Sequence, residues 1–265
     1  PQSPTGRCPY ARYRPAPMRL GIRWKLMIGI GVPLAALLTV SLVLDFLQHR
    51  VEEQRRMEAR LTKEAQYYAA RLDTQFQTLS QIARSTAAFL DTHPDVKEGE
   101  VYELLRRNMD QSKLIYGSCI AFEPYSFDPA RRLFAPYVYK GTGTEPGRDA
   151  DGLLRMDVAN AYDYMEPKWE WFHGPRRTGE PMWTEPFFDD GAGNVIMCTY
   201  VAPFFRDGKF RGTVNVDVRL ADLQEFAGRM RSDDVQVAIV SRMGTFISWP
   251  DPAAIMRESV ASLAA

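Results

Sequence analysis

The run from Tyr162 to Asp217 opens with Tyr-Asp-Tyr-Met-Glu-Pro-Lys-Trp-Glu-Trp-Phe and continues through Met182-Trp-Thr-Glu-Pro-Phe-Phe-Asp-Asp-Gly-Ala-Gly-Asn. It alternates through Thr199-Tyr-Val-Ala-Pro-Phe-Phe and closes on Gly212-Thr-Val-Asn-Val-Asp-Val. Between Tyr162 and Phe188 lie eight aromatics, including three of the five tryptophans of the chain, set among Asp, Glu, Lys and Gly. Aromatic walls with a few convergent polar groups line small-molecule pockets, and Lys168, Glu170, Glu185 and Asp189 would be expensive in a sealed core. The alternative is a hydrophobic core packed beneath a long loop.

Outward from this run the pattern is strand-like on both sides. Strands are predicted over 182–188, 194–205 and 209–218, joined by Asp189-Asp-Gly-Ala-Gly-Asn and Arg206-Asp-Gly-Lys, both hairpin signals. The Asp-rich joint lacks the ligand period and terminal Glu of a calcium loop. Upstream, 115–123 and 133–139 read as two further strands, separated from the aromatic stretch by a glycine-rich surface loop over 141–152. Downstream come a helix over 220–230 and a strand pair over 235–240 and 245–249, then Pro252 and a helix start. The predicted fold class is α+β, a five-stranded antiparallel sheet with helices on one face.

The N-terminal quarter is helical in pattern. Leu26 to Leu44 is nineteen residues without a charge, enough at about 1.5 Å per residue to cross a hydrocarbon core of roughly 30 Å. Residues 1–25 carry Arg7, Arg12, Arg14, Arg19, Arg23 and Lys25 and no acid, which places the N-terminus in the cytoplasm and everything after Asp45 outside. Met18 fits a native start. From Val51 to Phe89, Leu61, Ala65, Tyr68, Leu72, Phe76, Leu79, Ala83 and Leu90 recur at helical spacings, predicting one long helix docked on a globular domain, with a pure coiled coil the alternative. A second short helix is expected over 98–109. The domain reading is therefore a basic segment (1–25), a transmembrane helix (26–44), the long helix with a first module (45–230), and the start of a second, truncated module (231–265).

Composition excludes several classes. With 33 basic and 33 acidic residues the net charge is zero, so no nucleic-acid partner is indicated. Three scattered cysteines (Cys8, Cys119, Cys198) and three isolated histidines give neither a disulfide framework nor metal-ligand spacing. There is no glycine-rich phosphate loop, no Gly-x-Ser-x-Gly, no His-Glu-x-x-His and no Cys-x-x-Cys, so no cofactor or metal is expected. Arg131-Arg132 and Arg176-Arg177 read as solvated pairs.

A transmembrane helix, a long helix and a sheet ending in Gly212-Thr-Val-Asn-Val-Asp-Val-Arg-Leu resemble a double Cache extracellular sensor, a PAS-like fold, from about Asp45 onward. In amino-acid-binding members of that family, Tyr is followed by Arg five residues on, then Trp-Tyr, Pro-Tyr-x-Asp and a final Asp. Tyr164, Trp171-Phe172, Pro186-Phe187-Phe188-Asp189 and Asp217 occupy those positions, while Trp169, beside Lys168, stands in the arginine position. Lysine does not reproduce the bidentate fork that arginine offers a carboxylate, so a different small organic ligand is expected. The run from Trp183 to Phe205 is also similar to the sensor half of SpoIIE-type membrane phosphatases. Those continue into a HAMP linker and a cytoplasmic phosphatase, and similar sensors sit on histidine kinases and chemoreceptors.

The resemblance implies a periplasmic or extracellular sensor anchored in a bacterial inner membrane, as a homodimer. Its candidate ligand-binding residues are Tyr164, Lys168, Trp169, Trp171, Phe172, Trp183, Phe187, Asp189 and Asp217, and its ligand an amino acid, amine or carboxylate. Two alternatives stand beside it: a membrane-tethered hydrolase using Glu166, Glu170 or Glu185, and a ligand-free dimerisation module.

Overall fold

The structure, a computed structural model, describes residues 21–143, 145–230 and 237–263. The basic segment before Gly21, with Met18, lies outside the described residues. So does the first part of the strand expected over 235–240. By backbone contacts the chain divides into one unit up to Gln66 and a second from Tyr67 onward.

In the first unit, α1 (Ile22–Leu26) passes through a π-turn (Met27–Gly31) into α2 (Val32–Thr92), whose residues from Tyr67 onward belong to the second unit. Pro33 has no N–H to return to Gly29, and Gly29 and Gly31 ease the wider turn, so the irregularity falls where the sequence removes a bond. Two separate helices were expected over 26–44 and 51–89. The structure has one, because no glycine or proline interrupts the chain from Leu34 until Pro94. Every residue from Ile22 to Leu44 is exposed. The segment is long and apolar enough to cross a membrane.

The second unit is built on an antiparallel sheet. Its strands are β1 (Gly117–Phe122), β2 (Pro136–Tyr139), β3 (Leu154–Asp157), β4 (Met182–Trp183), β5 (Phe187–Phe188), β6 (Ile196–Arg206) and β7 (Lys209–Arg219). They lie in the order β3-β2-β1-β7-β6-β4, with β5 also paired to β6. The sheet thus has seven strands where five were expected. One, β3, follows the glycine-rich loop. Another arises because Pro186, lacking a donor, splits the strand predicted over 182–188 into two short pieces.

Both faces of the sheet are covered. On one, Val214, Val216 and Val218 of β7 meet Leu79, Ile82, Ala83 and Leu90 of α2, together with α3 (Glu98–Asp110) through Val101 and Leu105 and α5 (Leu220–Gly228) through Leu223. On the other, the segment between β2 and β6 folds back, carrying α4 (Glu170–Thr178), and packs Tyr164, Trp169, Trp171 and Phe172 over Cys119, Tyr137 and Val201. α4 stops at Gly179, whose φ of 72° supplies the left-handed C-terminal turn. A second, two-stranded sheet follows, β8 (Ile239–Val240) with β9 (Phe246–Ser248), and its Ile239 and Ile247 join the α5 side of the core.

Candidate functional site

Register places the site. Across the sheet, Tyr139, Gly117, Asp217 and Thr199 form one row, and Tyr137, Cys119, Asn215 and Val201 the next. Because strand side chains alternate, these point away from the helices and toward the aromatic segment. The alternation Thr213, Asn215, Asp217 therefore turns three polar side chains inward, where they are at most 5% exposed. Beside Asn215 and Asp217 sits a small cavity of about 20 Å³, room for roughly one water molecule.

Two carboxylates face this cavity. Asp217 accepts a hydrogen bond from the Thr199 hydroxyl at 2.7 Å. Burial, with a smaller push from Asp189, raises its pKa to about 7. Asp189 is carried in by the turn between β5 and β6. The hydroxyl of Tyr162 and the N–H of Gly193 each donate to it at 2.7 Å. Burial still raises its pKa, against those two bonds. The turn expected at Asp189-Asp-Gly-Ala-Gly-Asn is present, with Gly191 and Asn194 at positive φ, and its result is an inward carboxylate.

The phenol of Tyr137 crosses over Gly117, where an added Cβ would lie 2.3 Å from its oxygen. The same hydroxyl faces Asp217 and lowers its pKa slightly. The hydroxyl nonetheless makes no hydrogen bond of ordinary geometry, and Asn215 Oδ1 is also buried without a partner. Unmet groups of this kind cost roughly 1–3 kcal/mol each and are filled when a polar group arrives. No Lys, Arg or His lines the cavity. Its field is acidic, and a cation would neutralise it.

The predicted residues divide. Trp171, Phe187, Asp189 and Asp217 line the cavity. Tyr164 is fully buried, donating to Phe122 O at 2.7 Å and accepting from Phe134 N at 3.1 Å, and Phe172 is packed between it and Phe210. Neither lines the cavity, because their rings fill the space beneath α4. Trp169 stacks on Tyr162 at 4.2 Å. Lys168 is exposed and paired with Glu166 at 2.9 Å. Trp183 stands edge-on to Phe76 of α2 and to Tyr200. Trp169, Lys168 and Trp183 line a separate outer groove.

The cavity adds Cys119, Tyr137, Val158, Tyr162, Met197, Thr199 and Asn215, which the sequence reading did not select. The polar alternation in β7 was the signal for Asn215. For Cys119 the buried-hydrophobe reading stands, since burial holds its thiol well above the ordinary range. The hydrolase glutamates are each engaged elsewhere, although Glu170 and Glu185 both line the outer groove. Glu166 pairs with Lys168, Glu170 with Arg177 at 2.6 Å, and Glu185 accepts from Met243 N–H at 3.2 Å. The arginine pairs read as solvated are also ion-paired, Arg131 with Asp157 and Glu98, Arg132 with Asp163, Arg176 with Glu123.

A sheet covered on both faces, with a small polar cavity under an aromatic segment, is an arrangement that comparison with known proteins places among ligand-sensing modules. Residues 101–225 match the family model of the methyl-accepting chemotaxis protein-like, first PDC sensor domain. This segment is similar to the PDC/Cache-like sensor domains carried by chemotaxis receptors and histidine kinases. Over 92% of its length the chain is 24% identical to the methyl-accepting chemotaxis protein TlpQ of Pseudomonas aeruginosa, and it spans 40% of that protein. The solved extracellular domain of a protein described as a histidine kinase, soHK1S-Z6, is 25% identical, with a TM-score of 0.63 over 77% of this chain and 75% of that one. Methyl-accepting chemotaxis protein X shares the fold at 19% identity and a TM-score of 0.58, over 79% and 82%.

Proposed function

We propose that this chain is the extracytoplasmic sensor of a membrane signalling protein whose ligand carries an ammonium group. The observation that carries the reading is the pair of buried carboxylates, Asp189 and Asp217, facing a cavity with no basic side chain. An ammonium supplies the missing counter-charge. It also supplies up to three N–H donors, for which Asn215 Oδ1, Asp217 and the Tyr137 oxygen are the acceptors. A carboxylate ligand would add a third negative charge. The arginine position of amino-acid-binding relatives holds Trp169, so an α-amino acid would lack a bidentate partner for its carboxylate at that position. A simple amine fits the donor set better.

In this reading ligand entry parts Trp171 and Phe187 from the sheet and neutralises the two acids. That shifts a two-state equilibrium by the ligand's differential affinity for the two states. α2, whose Leu79, Ile82 and Leu90 pack on the back of the same sheet, passes the change toward the apolar segment, which anchors the protein in the inner membrane. Exposed Val51, Met57, Leu61 and Tyr67 offer α2 an apolar surface for a second copy. The output lies in the part of the protein beyond this chain. Chemoreceptor or kinase output is supported by the relatives named above, and the SpoIIE-type phosphatase rests on the Trp183–Phe205 likeness alone.

The test is a thermal-shift panel of amines, amino acids and carboxylates on wild type and Asp217→Asn. At about a hundredfold excess over its dissociation constant an amine stabilises by about 2.7 kcal/mol, and the variant removes that shift. Stabilisation by carboxylates alone, unchanged in Asp217→Asn, contradicts the reading.

A further inference from the structure

Beside the acidic cavity lies a groove of about 720 Å³ whose apolar lining is Met182, Trp183, Phe187, Phe188 and Met243. Trp171 and Phe187 line both spaces and form the partition between them. The charged groups at its mouth are largely engaged with one another or with backbone: Lys168 with Glu166, Glu170 with Arg177, and Glu185 with Met243 N–H. Asp190 and Arg242 also line the groove, and the rest of its wall is largely apolar. Phe188 and Met243 are 53% and 78% exposed. The indole N–H of buried Trp169, on the same wall, has no acceptor.

We propose that the groove is the outer half of the ligand site, and that the ligand is an amine bearing an apolar, ring-sized tail. The inference rests on the ammonium reading above. The ammonium lies between Asp189 and Asp217, and the tail passes between Trp171 and Phe187 onto Trp183, Phe188 and Met243. A ring is favoured because aromatic faces and a thioether pack well against one, and because the volume lies within the range of small-molecule sites. The far wall belongs to the turn between β8 and β9, which Glu185 holds through Met243 N–H. A bound tail therefore touches both sheets at once, tying the edge of the first to the second.

The experiment is calorimetric titration of the full chain in lipid nanodiscs with phenethylamine, ethylamine and phenylpropionate. Phe188→Ala/Met243→Ala is run beside wild type; both side chains are exposed, so the double variant folds. The expected result is phenethylamine binding about tenfold or more tighter than ethylamine, since a buried ring removes a large apolar area from water. The double variant loses most of that advantage and leaves ethylamine unchanged. Equal affinity for the two amines, or a ring advantage indifferent to the double variant, overturns the tail inference while the ammonium reading stands. Binding of neither amine, or of phenylpropionate in their place, overturns both.

Discussion

The two faces of the first sheet carry the same strands and are built to different ends. On the helix face β7 presents Val214, Val216 and Val218, and the few polar groups form a closed relay. Thr86 donates to Asn108 at 3.0 Å, Asn108 to Ser118 at 3.2 Å, and Ser118 to Asn215 O at 3.0 Å. On the ligand face the intervening residues of the same strand, Asn215 and Asp217, leave an unpaired oxygen and a carboxyl pushed up to about 7. One face supplies stability and the other gives some of it up to keep a site. The asymmetry is local to one strand and one side-chain period.

The largest effect should come from the helix face. Leu105→Ala empties a fully buried position against the sheet and is expected to lower stability by about 2–5 kcal/mol in a denaturant melt, with amine affinity unaltered once folded. Asp217→Asn should act in the opposite direction. The folded carboxyl has its pKa raised above the unfolded value of 3.8, so the folded state binds the proton more tightly. The contribution of this carboxyl to stability is therefore fully present below about pH 4, falls as pH rises toward about 7, and is level above that. The asparagine variant should match wild type in acid and exceed it by about 1–3 kcal/mol at about pH 8, with the pH slope largely removed. A variant less stable than wild type at both pH values would mean that Asp217 stabilises the fold, and would erase the contrast between faces.

Gly117→Ala sharpens the comparison within the ligand face. Its Cβ would displace the Tyr137 phenol, so a destabilisation of about 1–2 kcal/mol with weaker amine binding is expected. Unchanged binding would remove Tyr137 from the site. Lys168→Ala should move the melting temperature by less than about 1 °C and leave amine affinity intact, because the side chain is exposed and outside the cavity.

Much of this arrangement was legible in the sequence. The apolar run over 26–44, the hairpin at Asp207-Gly208 and the period of Leu72, Phe76, Leu79 and Ala83 each announce their element through local chemistry. β3 escaped because Leu-Arg-Met-Asp is four residues long and follows a glycine-rich loop, so its strand character comes from pairing with β2. The site was legible in part for a related reason. Aromatic density points to the region, yet Tyr164 and Phe172 are core while Trp171 lines the cavity, a difference set by how α4 lies on the sheet. Asn215 and Tyr137 enter through register, which joins residues 78 positions apart on strands that are not neighbours.

Proton linkage at Asp217 tests the ammonium reading most directly. Amine binding to the full chain should be measured by calorimetry in buffers of different ionisation enthalpy, at about pH 6 and at about pH 8.5, where the amine itself stays charged. At the lower pH the cation must displace the carboxyl proton, so release of up to about one proton per amine is expected, falling toward zero at the higher pH. Proton release that is absent at both pH values, or that persists unchanged in Asp217→Asn, would contradict a ligand ammonium held by this carboxylate.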